Sequence, residues 1–290
     1  MHKFLRAIGF SDITKKDLEM ILDEVITRPE IMKITKDSEG NEFEELSGSF
    51  AANAGITVRG TYQEDDSFHM DYYYPYVFGT SITTNEQIDV EKHAEKESYA
   101  GVCDEVNLGV TLIFYIQNVA DYLAETNRHL SKIHYGAMLA GLSTEGKILC
   151  PVVERKKNDV PAIQKNDRHN QLIAQAREGD EDAIESLTLE DMDTYALLSQ
   201  RVMKEDIFSI VKSTFMPFGI ESDQYTVLGE IIDCVTMENK LTHEKLYGMK
   251  LLCNNIQFDV CINEKDLLGE PAIGRRFRGN VWMQGNLCLE

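Results

Sequence analysis

The chain is short of positive charge and of long apolar runs. Its 29 Lys and Arg stand against 49 Asp and Glu, a formal charge of −20, while charged residues as a whole make up 27%. That share is ordinary for a soluble domain, so the acidity is a deficit of bases rather than a surplus of charge. A field of this sign repels phosphate backbones and anionic headgroups, which disfavours double-stranded nucleic acid and a membrane as partners. The longest apolar run, Val110–Ile116, is far below the ~20 residues that span a bilayer. Met1–Phe10 is too short and too polar for a signal peptide, so a cytoplasmic protein is expected. Six cysteines occur without a Cys-x-x-Cys pair, and free buried thiols are expected rather than disulfides or zinc.

Motifs are scarce as well. The sequence contains no GxGxxG after a strand, no Walker sequence, no GxSxG elbow, no HExxH and no EF-hand loop. His129 and His134 lie five residues apart, off the i,i+3 or i,i+4 spacing of helical ligands, so neither metal nor cofactor is expected.

What is present supports a folded chain: 43% of the 290 residues are apolar, enough for a sizeable core and for about two domains. Thr14 reads as an N-cap with Asp17 as its capping-box partner. Leu18, Ile21, Leu22 and Val25 then form one stripe, and Pro29 ends the helix. From about Phe43 the period shifts towards 2, with strands expected at 55–62, 68–78, 98–106 and 109–116. A hairpin is expected from 137–142 and 147–153 around a Ser143–Gly146 turn. Residues 154–167 are polar and aperiodic, and read as a linker. Over 168–215 a helical section is expected, with Asp180 capping a short helix. Between Glu178 and Asp206 ten acidic residues meet only two basic ones, the pattern of a solvated face. Residues 216–290 alternate again and suggest a small β-domain, barrel-like and compatible with the OB type. The expected class is therefore α+β. It comprises an antiparallel-sheet domain with a covering helix at 1–153, a linker, a helical section, and a β-domain at 216–290.

Two constellations stand out. The strand Phe68–Tyr76, if unbroken, puts Phe68, Met70, Tyr72, Tyr74 and Tyr76 on one face and His69, Asp71 and Tyr73 on the other. It is an aromatic core stripe, or else a pocket in which His69 and Asp71 handle a proton. Arg275, Arg276, Phe277 and Arg278, with the only tryptophan at Trp282 nearby, concentrate positive charge in an acidic chain. They could hold an anion or a stacked base, or pair internally with the acidic section.

The opening Met-His-Lys-Phe-Leu-Arg-Ala-Ile-Gly-Phe-Ser, the central Ala-Arg-Glu-Gly-Asp-Glu-Asp-Ala-Ile-Glu-Ser-Leu-Thr-Leu-Glu-Asp-Met-Asp-Thr-Tyr and the late Gly-Glu-Pro-Ala-Ile-Gly-Arg-Arg-Phe-Arg-Gly-Asn-Val-Trp-Met-Gln-Gly resemble an uncharacterised family of cytosolic proteins of about this length from clostridial Firmicutes. The resemblance implies a source and a compartment, and brings no activity or site residue. The residues themselves favour a non-enzymatic protein that acts through a protein partner. The alternatives are a C-terminal β-domain binding a small anionic ligand or single-stranded nucleic acid, and an enzyme built on His69 and Asp71.

Overall fold

The computed structural model describes residues 1–92, 98–127, 134–152, 211–219 and 223–289, together with 172–173, 175–176, 180 and 182–188. The linker, most of the acidic section and His129 lie outside the described residues.

The first helix forms as its caps dictate. Helix α1 spans Lys15–Thr27, with Thr14 Oγ1 accepting from the Asp17 N–H and Asp17 Oδ2 accepting from the Thr14 N–H at 2.9 Å. Its buried residues are Leu18, Ile21, Leu22 and Val25. These pack on a four-stranded antiparallel sheet in the order β1 (Ile31–Lys36), β2 (Glu42–Ala51), β3 (Ala54–Tyr62), β4 (Phe68–Val77). Gly48 is needed on β2 because a Cβ there would meet Val25 at 2.9 Å.

The remaining strands are β5 (Thr84–Lys92), β6 (Tyr99–Glu105), β7 (Val110–Ile116), β8 (His134–Leu149), β9 (Thr214–Pro217), β10 (Gln224–Glu238), β11 (Lys245–Cys253), β12 (Ile256–Asn263), β13 (Leu267–Leu268) and β14 (Arg276–Leu287), with helix α2 at Val119–Asn127. They form one ten-stranded sheet that closes on itself twice. Strands β8 and β14 pair antiparallel from Ala137↔Leu287 to Leu149↔Arg276. On its other edge β8 meets β5 at one end and β12, in parallel, further along. Strand β14 likewise meets β7 near Gly285 and β10 over 276–282. With β5–β6–β7 and β10–β11–β12 already paired, two five-stranded rings stack end to end on the shared β8–β14 pair. One apolar interior runs through both, from Ile88, Leu112 and Phe114 to Phe258, Ile262 and Phe277. A second core lies outside this barrel, where the four-stranded sheet, α1 and the 3-10 turn Lys3–Ile8 cover Tyr115, Leu142, Cys261 and Trp282.

The expected α+β class is thus corrected: the molecule is mostly β. No separate small C-terminal barrel forms, since its ring takes β8 from the N-terminal half of the chain. Alternation reveals a strand but not its partner, and strands long enough for two partners join segments that read as separate. The expected helical section is corrected at its end, where 211–213 are irregular and Thr214 begins β9. Among its described residues the backbone is helical at 172–173 and 175–176 and again at 182–188, where Asp180 Oδ1 accepts from the Asp182 and Ala183 N–H groups. The Ser143–Gly146 turn is also corrected, since these residues continue β8 through a bulge opposite Asn280 and Val281. Ser143 donates its hydroxyl to the Asn280 carbonyl, and Gly146 leaves room for the Phe277 ring.

Of the cysteines, Cys103, Cys253 and Cys261 are buried free thiols, Cys150 is exposed, and Cys234 and Cys288 lie between. No helix among the described residues is long and apolar enough to cross a membrane.

Candidate functional site

A cleft of about 750 Å³ opens at the end of the β10–β12 ring. It is built from turns: Val106–Gly109 between β6 and β7, Pro151 and Val152 after β8, Lys212 and Ser213 before β9, Asn254 and Asn255 between β11 and β12, and Gly274 before β14. Asn254 and Asn255 have φ of 47° and 67°, the left-handed pair that a two-residue hairpin requires. Ser213 ties this turn to β9, its hydroxyl donating to Asn254 Oδ1 at 2.7 Å.

Arg276 forms part of the wall. It is 5% exposed, and its guanidinium donates from Nε to the Cys150 carbonyl at 2.9 Å and from Nη1 to the Val211 carbonyl at 2.6 Å. Burial lowers its pKa from the usual value, as expected where a cation loses water. Lys212 is exposed at the rim and Glu230 contributes a carboxylate. The described lining thus carries two cations and one anion, a positive local balance in a chain of charge −20.

Alternation along β14 parts Phe277 from Arg276 and Arg278, which share the opposite face. Phe277 enters the barrel interior. Arg275 donates from Nη1 to the Glu270 carbonyl. Arg278 lines a separate groove of about 380 Å³ with Glu145, Lys147, Phe218 and Leu268. Trp282 is 6% exposed, stacks on Phe4 and His2, and donates from Nε1 to Asp223 at 2.7 Å. The aromatic partner for a stacked base is therefore not beside the arginine of the cleft.

The tyrosine-rich strand does not line the cleft. A bulge in β4 leaves Arg59 opposite Tyr72 but Gly60 opposite Met70, so Asp71 is the extra residue. Phe68 and Met70 therefore turn to the α1 side, while Tyr72, Tyr74 and Tyr76 face the barrel, which corrects the unbroken stripe. His69 Nε2 and Asp71 Oδ1 are 3.9 Å apart on an open strand, with both side chains more than half exposed. The Tyr73 hydroxyl accepts from the His2 N–H at 3.1 Å. No group of three or more His, Cys, Asp or Glu side chains among the described residues is placed to hold a metal ion.

Sequence reasoning found Arg276 but missed Lys212, Asn254, Asn255 and Asn107. The one local signal was the Asn-Asn pair between two alternating segments, which marks a hairpin turn.

A family model described as a domain of unknown function, E. rectale gene description (DUF3881), matches residues 5–285. No curated protein and no solved structure matches the chain.

Proposed function

The chain belongs to the DUF3881 family, whose description assigns no activity, and from the cleft we propose that the protein is a binding protein for a small anionic molecule. The carrying observation is a buried guanidinium, fixed by two carbonyls, in the wall of a cleft whose described charges sum to positive within an acidic protein. A cation held rigidly before the ligand arrives loses little conformational freedom on binding. The cleft focuses its field against the repulsion of the surrounding surface. Lys212 adds an exposed ammonium at the rim, and Asn107, Asn254 and Asn255 contribute polar amide side chains to the lining. A small ligand is favoured over a nucleic-acid strand because Trp282 is committed to the outer core.

The test is a thermal-shift panel of inorganic phosphate, citrate and nucleoside mono- and diphosphates on the full chain. An anion at 100 times its Kd should stabilise the fold by about 2.7 kcal/mol. That gain should shrink with salt and be lost in Lys212→Glu, whose own melting temperature stays near the parent's. No stabilisation by any anion, or stabilisation indifferent to Lys212→Glu, would overturn the reading.

A further inference from the structure

The helical layer over the four-stranded sheet is incomplete. Helix α1 covers Leu46, Ile56 and Val58, but its last turn stops at Thr27. Beyond it the same face of the sheet carries exposed apolar side chains. The register puts Ile34, Glu44, Gly60 and Met70 in one row across all four strands, side chains to the α1 side. Ile34 is 60% exposed, Met32 48%, and Tyr62 and Met70 37% each. Tyr62 and Phe68 pack edge to face at the end of the row. Exposed apolar side chains thus flank the face on β1 and on the β3–β4 side, with Glu44 and Gly60 buried between them, and apolar exposure grouped on one face marks a contact surface.

Charge surrounds it on one side. Strand order places the β1–β2 and β3–β4 turns at the same end of the sheet. Residues 37–44 and 63–71 hold eight Asp and Glu between them and no Lys or Arg. Within the row itself, Glu44 is 3% exposed and its Oε2 has no hydrogen-bond partner among the described residues. A buried carboxylate oxygen without a donor is rare in a finished core.

We propose that this face docks a basic amphipathic α-helix of a partner protein, lying beside the end of α1. Its apolar stripe covers Ile34, Met70 and Tyr62, and its Lys and Arg side chains reach the two acidic turns. A helix is the occupant because the layer already begun by α1 is helical, and a sheet face is completed by elements of the layer that covers it. The partner is basic because the two turns bounding the face supply eight carboxylates, against the Lys92 ammonium that donates to Ser38. This inference is independent of the cleft, which lies at the end of the barrel.

The probe is a synthetic peptide of about five turns, with Leu at i, i+3, i+4 and i+7 and Lys on the opposite face. It is titrated against the full chain by fluorescence anisotropy, beside a peptide of identical composition in scrambled order. The amphipathic peptide should bind and the scrambled one should bind at least about tenfold more weakly. Ile34→Ser and Met70→Ser, exposed positions that leave charge unchanged, should each weaken binding by about tenfold without moving the melting temperature. Asp65→Asn with Asp66→Asn should weaken it and flatten its salt dependence. Absence of binding, or equal binding to both peptides and to both Ser variants, would overturn the proposal and leave only the attraction of a net −20 for cations. A dimer in light scattering that Ile34→Ser dissolves would overturn it differently, by assigning the face to a second copy of the chain.

Discussion

Arg59 is fully buried between the four-stranded sheet and the barrel, where its guanidinium reaches five oxygens. Nε donates to Glu45 at 2.9 Å, Nη1 to the Tyr72 and Tyr115 hydroxyls at 2.7 and 3.0 Å, and Nη2 to the Tyr74 hydroxyl and the Gln117 carbonyl at 3.0 and 2.8 Å. Burial raises the Glu45 pKa while the guanidinium opposes that rise, so each charge depends on the other. Arg59→Met should therefore cost about 3–5 kcal/mol in urea unfolding, because Glu45 is left buried and uncompensated. Arg59→Met with Glu45→Leu should recover part of that loss. A single-variant cost below about 1 kcal/mol would show the network to be dispensable.

Glu44 shows the opposite balance. Burial raises its pKa, and its hydrogen bond from the Tyr62 backbone N–H only partly opposes this. A raised carboxyl adds stability below its unfolded pKa and loses it as pH rises through the folded value. Glu44→Gln keeps the acceptor and removes the charge. It should stabilise the protein at neutral pH by on the order of 1 kcal/mol, and the difference should fade as acid protonates the parent carboxyl. A gain that persists unchanged at low pH would contradict this cause.

At the scale of elements, the barrel depends on β8 and β14 lying close enough to serve both rings. Gly146 faces Gly279 in their ladder, and a Cβ at Gly146 would come within 2.4 Å of the Phe277 ring. Gly146→Ala should cost about 1–3 kcal/mol by overpacking. Phe277→Leu should cost a cavity of its own, yet the double variant should be more stable than the sum of the two losses predicts. Strictly additive costs in guanidinium unfolding would mean that the two residues do not compete for one space.

These same elements explain what could be read in advance. Strands β3, β4, β6, β7, β10, β11 and β12 were legible because each alternates over its own length, and α1 because its capping box is local. The Ser143–Gly146 segment looked like a turn because its small and polar residues serve β14, 130 or more positions away, as the bond from Ser143 to the Asn280 carbonyl at |i−j| of 137 shows. The bulge at Asp71 has no local signature, so Phe68 and Met70 were assigned to the wrong face. The cleft was visible only through Arg276, since most of its other groups come from turns that meet once the rings close.

At the scale of the whole molecule, the N-terminal segment is fastened to β11, β12 and the turn that follows β12. Glu244 accepts from the Ser11 hydroxyl at 2.5 Å, from Lys265 at 2.8 Å and from Asn263 at 2.5 Å. Lys265 also holds Asp12, and Arg6 is paired to Asp266. Burial pushes the Glu244 pKa up, but the hydrogen bonds from Lys265, Ser11 and Asn263 outweigh it and hold it below the usual value; hydrogen bonds from Lys265 and Ser11 do the same for Asp12. Groups lowered in this way contribute stability above the unfolded carboxylate pKa, near 4, and lose it as pH falls through the folded value.

Self-repulsion at a net −20 acts in the other direction, because it weakens as carboxylates take up protons. Raised Glu44 adds to that first trend. The melting temperature should therefore rise as the pH is lowered from neutrality and fall steeply once Glu244 and Asp12 begin to protonate. Salt separates the two limbs: at neutral pH it should raise the melting temperature by screening repulsion over about a Debye length, while near the acid limb that gain should vanish. Glu244→Gln should keep the neutral limb and its salt response while making the acid limb shallower. A variant that melts like the parent at every pH would show that the clasp on the N-terminal segment carries no part of the acid sensitivity.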